Sequence, residues 1–188
     1  MRLSEYIIKE IELITTDFEE FVKTHFINDS NLSQEELRNH IIEVLTYIAT
    51  DMGVEQTAIE QIIKSKGGKI KTGDDTAAQI HGKQRAHIGM IITDLAGEYR
   101  ALRANILKHW IAQLEAPDEQ DFYEMIRFNE AIDETLGESL TTFYVLVEEA
   151  RNYFLSVLGH DLRSPLNAIT GSVSLLMHSG DLTEIQYD

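Results

Sequence analysis

The sequence predicts an all-α chain that ends in one long helix. Three observations predict it. Apolar residues recur at steps of three and four rather than two, and no alternating β pattern occurs anywhere. Only two prolines are present, Pro117 and Pro165, and long stretches hold neither proline nor glycine. With 188 residues, 43% of them hydrophobic, the chain has material for one cored domain plus an appendage.

Leu3, Ile7, Ile11, Ile14, Phe18, Phe21 and Val22 form the first helical stripe, which predicts one helix over roughly Leu3 to Phe26. Asn28 to Asn31 is turn chemistry, and Ser33 with Glu36 fits a capping box. The helix that follows carries Leu37, Ile41, Val44, Leu45 and Ile48 and should stop near Gly53. A third helix is expected over about Glu55 to Ser65, then an exposed loop from Lys66 to Asp74. Asp74 or Asp75 can cap the next helix. Periodicity then runs from Ala77 through Ile80, Ile88, Ile92 and Leu95 to Tyr99, Leu102, Ile106 and Trp110, with Gly89 or Gly97 as the place for a break. Pro117 and its acidic neighbours suit a helix start. From Asp118 the helical pattern does not stop until about Ser179.

Composition narrows the function. The net charge is -16, and a nucleic-acid binder needs a basic surface, so no nucleic-acid partner is expected. Nine carboxylates against one base between Glu115 and Glu138, and four lysines between Lys64 and Lys71, read first as solvated surface. There is no cysteine, which removes disulfides, iron–sulfur clusters and thiolate zinc sites. Met1 to Glu10 interleaves charge with apolar residues and is no signal peptide, and no apolar run is long enough to span a membrane. These features lead to the expectation of a cytoplasmic protein with no membrane partner and no cofactor or metal of its own.

A helix of some 60 residues would run about 90 Å, longer than one small domain can bury, so part of it should pair with a second copy of the chain. Its seam runs Leu136, Leu140, Phe143, Val147, Ala150, Phe154, Leu158, Leu162, Leu166, Ile169, Val173, Leu176. Steps of four and three alternate at both ends, as in coiled-coil heptads. Between Ala150 and Leu166 every step is four, a stutter that locally unwinds a left-handed supercoil. A change of packing phase there suits a two-state relay.

The stutter brackets His160. This residue lies two positions past Leu158, about 200° round the helix, so it faces away from the seam. Asp161 is its neighbour. Pro165 follows five residues on, where it removes the N–H that the carbonyl of residue 161 would accept and should bend the helix, at about 3 kcal/mol. Gly159 adds roughly 1 kcal/mol. Two costly residues flanking a His–Asp pair point to a site. A neutral imidazole is a nitrogen nucleophile, and an adjacent carboxylate can orient one ring N–H while the other nitrogen attacks phosphorus.

Residues Asn152 to Ser179 resemble the dimerisation and histidine-phosphotransfer helix of sensor histidine kinases, whose signature is a histidine, an acid, Leu-Arg, a small polar residue and Pro-Leu. Here it reads His160-Asp161-Leu162-Arg163-Ser164-Pro165-Leu166. The resemblance implies that His160 is the phosphoacceptor, Asp161 its acidic catalytic partner and Pro165 the helix bend. Arg163 and Asn167 also match. Ser164 stands where many relatives carry Thr or Asn, the position linked to dephosphorylating the partner regulator. In that family a second hairpin helix and an ATP-binding domain follow; Ser179-Gly180-Asp181 is expected to open the hairpin turn. ATP and Mg2+ would bind that missing domain, so the chain alone is expected to be inactive. The implied partners are the ATP-binding domain and a response-regulator receiver domain.

A second resemblance concerns the front of the chain. His81-Gly-Lys-Gln-Arg85, Glu98-Tyr-Arg-Ala-Leu-Arg103, Trp110 and Arg127-Phe-Asn-Glu-Ala-Ile-Asp133 resemble the N-terminal domain of stressosome co-antagonists of the RsbR type. That family implies a globin-like helical bundle, dimeric and without haem. The expected organisation is therefore a globin-like sensor domain over 1–145 and, over 146–188, a signalling helix leading into the first helix of the phosphoacceptor domain, dimeric through a coiled coil. Two other functions compete with a kinase sensory region: a stressosome-type interaction module without phosphotransfer, and a haem or gas sensor with His81, His87 or His109 as ligand. The Gly and Arg beside His81 favour close helix packing and a buried polar contact over haem.

Overall fold

The computed structural model describes residues 1–25, 34–54 and 75–179. Among these residues there are six α-helices and no strand: α1 (Leu3–Lys9), α2 (Ile11–His25), α3 (Gln34–Gly53), α4 (Ala77–His87), α5 (Ile92–Ile111) and α6 (Glu119–Ser179). The chain divides into two units, Met1–Leu146 and Val147–Asp188. The turn at Asn28–Asn31, the Ser33 cap, the helix over Glu55–Ser65, the loop over Lys66–Asp74 and the turn at Gly180–Asp181 lie outside the described residues. No described helix is long and apolar enough to cross a membrane.

The first unit is built on the stripes read from the sequence. Leu3, Tyr6 and Ile7 of α1, Ile14, Phe18 and Val22 of α2, and Ile41, Val44, Leu45 and Ile48 of α3 are buried together. They meet Leu95, Tyr99, Leu102, Ile106 and Trp110 of α5 and Phe128, Ala131, Ile132 and Phe143 of α6. Trp110 is fully enclosed, and its indole N–H donates to the Met1 carbonyl at 3.1 Å.

Helix boundaries depart from the expectation at two places. The first stripe is two helices, broken at Glu10 (φ -103°, ψ 18°). Glu10 N–H still donates to the Tyr6 carbonyl and Ile14 N–H to that of Glu10, each at 2.9 Å. A break that keeps its hydrogen bonds leaves the apolar spacing unchanged, so periodicity alone is blind to it. Secondly, α4 is capped by Thr76 and not by an aspartate. Thr76 Oγ1 accepts from Gln79 N–H at 3.2 Å and Gln79 Oε1 accepts from Thr76 N–H at 3.0 Å, a reciprocal capping box. Asp75 pairs instead with Lys83 at 2.5 Å. The break between α4 and α5 falls at Gly89, one of the two expected positions and the one described residue with positive φ (+70°), while Gly97 is buried inside α5.

The start of α6 is more than a solvated acidic face. Asp118 and Asp121 each accept the other's backbone N–H, at 2.9 and 3.0 Å, and Arg2 pairs with both carboxylates. Glu124 accepts from Ser4 N–H, and Asp133 pairs with Arg103. Arg127 Nη2 donates to the Asp51 and Val54 carbonyls at 2.6 and 3.1 Å, satisfying the C-terminal end of α3. The acidic run thus ties α1, α5 and α6 together. Leu136, Leu140 and Phe143 pack into the first unit's own core, so that part of the seam is already occupied.

Candidate functional site

Two constellations carry chemistry. In the second unit, α6 presents His160 and Asp161 as neighbours, with side chains 84% and 69% exposed. His160 Nδ1 lies 3.3 Å from Asp161 Oδ1. With the proton on Nδ1, that nitrogen donates to the carboxylate and Nε2 keeps its lone pair free toward solvent. The carboxylate then faces the charge that develops on the ring as Nε2 forms a bond. Pro165 sits inside the same helix, with Arg163, Ser164 and Asn167 exposed around it. The four residues singled out from the sequence, His160, Asp161, Ser164 and Pro165, therefore lie together over two turns.

Phe154, Leu158, Leu162, Leu166, Ile169 and Val173 follow on the same element and are all exposed in a single copy of the chain, from 39% for Leu158 to 61% for Ile169. His160 lies about 200° from both Leu158 and Leu162. His160 and the apolar stripe thus occupy different sides of one helix.

The first unit holds a buried ionic network. Glu98 of α5 accepts from Arg85 Nε at 2.9 Å through both oxygens and from His81 Nε2 at 2.9 Å. All three side chains are at most 2% exposed. Burial and the Arg85 charge hold His81 below its ordinary value of 6.5, so the ring is neutral and donates from Nε2. Burial pushes Glu98 upward, but its contacts with His81 and Arg85 outweigh this and keep it ionised below 4.5. Edge-on to His81 lies the Tyr99 ring, 5.6 Å between centroids. Tyr99 Oη shares a 2.7 Å hydrogen bond with Ser139 Oγ, which donates to the Ala78 carbonyl at 2.5 Å. Gly82 makes this approach possible: a Cβ there would overlap the Ser139 carbonyl, 2.9 Å from its carbon.

His81, Gly82, Arg85, Glu98 and Tyr99 were all legible as motif residues. Ser139 was not, because a lone serine on a helix gives no signal until its neighbours are placed. Of the haem candidates, His87 is exposed and His109 half-buried. His81 is buried, but its Nε2 is taken by Glu98 and its ring by Tyr99, which does not suit an axial ligand. Among the described residues no cluster of three or more His, Cys, Asp or Glu could hold a metal ion.

No protein-family model matches the chain, and neither a curated protein nor a solved structure matches it.

Proposed function

We propose that this chain is the sensory and dimerisation region of a cytosolic two-component histidine kinase. The observation that carries the reading is the exposed His160–Asp161 pair, five residues before a proline held inside a helix. His160 Nε2 attacks the γ-phosphorus of ATP held by a separate ATP-binding domain with Mg2+. The N–P bond forms as the bond to the β–γ bridging oxygen breaks, and ADP leaves. Asp161 orients Nδ1–H and stabilises the imidazolium. The phosphoryl group then passes to a response-regulator receiver domain, and Ser164 is the position from which regulator dephosphorylation would be assisted.

The same reading makes the chain a parallel homodimer through the stripe from Val147 to Val173. An isolated helix with one side apolar is marginal in water, and a second copy removes that side from solvent at about 25 cal/mol per Å2. The first unit is read as the globin-like sensor domain. Its support is that the motif residues of α4, α5 and α6 contact one another: His81 and Arg85 with Glu98, and Arg103 with Asp133.

The test supplies a histidine-kinase ATP-binding domain in trans with magnesium and labelled ATP. The chain should acquire a base-stable, acid-labile phosphoramidate. Asp161→Asn should slow labelling by about 10²–10⁴-fold while leaving the dimer mass unchanged. An acid-stable phosphoester in place of the phosphoramidate would overturn the reading.

A further inference from the structure

Among the described helices of the first unit, α4 is docked by different chemistry. Each of the others puts large apolar side chains into the core. The buried face of α4 is Ala78, His81, Gly82 and Arg85, and none of its residues belongs to that core; Ala77 and Ala86 pack half-buried on its edge. What holds α4 is polar. His81 and Arg85 reach Glu98 of α5, Ser139 of α6 donates to the Ala78 carbonyl, and Thr76 at the cap donates to Glu138 of α6. His81 Nδ1 and Arg85 Nη1 and Nη2 are enclosed with no hydrogen-bond partner. Undocking returns these three atoms to water, so α4 opens more readily than a helix held by leucine and isoleucine. Its joint to α5 is Gly89, exposed, at φ +70° and with open space around it, where a change of backbone angle is absorbed without a clash.

We infer that α4 is an acid-sensitive latch: protonation of His81 holds α4 off α5 and α6 while the rest of the first unit stays folded. In the docked helix a second ring proton would sit on Nδ1, where no acceptor faces it, beside the Arg85 guanidinium. The proton is therefore taken up by the undocked form, whose imidazole titrates near the ordinary value of about 6.5. Uptake by one form alone drives the equilibrium toward it as pH falls below that value, by at most about tenfold per pH unit. The charged and titratable groups around His81 are Arg85 on its own helix, Glu98 and Tyr99 on α5, and His40 on α3; α6 brings the uncharged Ser139 against Gly82. Arg85 and His40 oppose a charged His81, and Glu98 is the one group that favours it. Release bares Glu98 and Ser139 to solvent. The inference goes beyond the proposed function and needs no phosphoryl transfer.

The test is hydrogen exchange on the full chain in low urea, read by mass spectrometry and corrected for the intrinsic pH dependence of exchange. Amides of residues 81–87 should open at least tenfold more often than those of α2 and α5, with a smaller urea dependence. Their opening constant should rise about tenfold between about pH 7.5 and 5.5. In His81→Gln that rise should fall below about twofold; the variant keeps His40, so it separates the two histidines. Opening of α4 only together with α2 and α5 in the wild-type chain would overturn the latch, whether or not the variant folds. An unchanged pH response in a folded His81→Gln chain would overturn it as well.

Discussion

Glu98 is the residue on which the first unit's polar interior turns. It neutralises Arg85 where neither can reach water. Removing one partner of a buried pair strands the other, at about 3–5 kcal/mol. Glu98→Gln should therefore lower the melting temperature by on the order of 10 °C at this chain length; a thermal scan by circular dichroism checks it, and a shift under 3 °C would mean that the network is not buried as described. Gly82→Ala should cost about 1–3 kcal/mol by forcing α4 off the Ser139 carbonyl, read as a lower urea midpoint. The pH dependence has a definite sign. His81 has a folded pKa below its ordinary 6.5, so the unfolded chain takes up the proton first and stability falls as pH drops below about 6.5. Glu98, also held low, adds a loss of the same sign as pH falls below about 4.5 toward its folded value. Acidification also relieves repulsion in a chain of charge -16, so the comparison is with a variant. Between pH 6.5 and 5.5, wild type should lose up to about 1 kcal/mol more than His81→Gln. Equal slopes in urea titrations of the two proteins would remove His81 from the account.

At the scale of elements, what was legible divides by mechanism. Stripes at helical spacing placed α2, α3, α5 and α6, because burying a continuous apolar face is what fixes those helices. The break at Glu10 was invisible, since one residue's change of ψ leaves the stripe in phase. Thr76 lost to the neighbouring aspartates in the sequence reading because any of the three can cap. Its advantage is Gln79 three residues on and Glu138 across the interface, and only the latter needs the fold. The seam showed that α6 has one apolar face but not which partner covers each stretch of it. Leu136, Leu140 and Phe143 go to the first unit's own core, and the exposed part of the stripe begins at Val147. The spacing of His160, Asp161 and Pro165, by contrast, was legible, because residues on consecutive turns of one helix need no tertiary contact to meet. Pro165 yields an element-scale prediction. Pro165→Ala restores the missing N–H and should stabilise the helix locally by about 3 kcal/mol. Hydrogen exchange of residues 161–169 should slow accordingly, and unchanged protection would show that the proline is accommodated without cost.

At the scale of the whole molecule, the proposed function places a second copy of the chain against the exposed apolar side chains of α6 from Val147 onward. Leu158→Asp with Leu162→Asp should give monomers in light scattering while leaving the first unit's melting unchanged, since neither side chain enters its core. An unchanged dimer mass would move the interface into the first unit. The central claim is that phosphoryl transfer ends on one nitrogen of one residue. The most direct measurement maps the modified residue by mass spectrometry under neutral conditions after incubation with a histidine-kinase ATP-binding domain, Mg2+ and ATP. The account predicts a single phosphate on His160, none in His160→Gln, and none when the chain is given ATP and Mg2+ alone. A phosphate that persists in His160→Gln, or appears without the added domain, would contradict it.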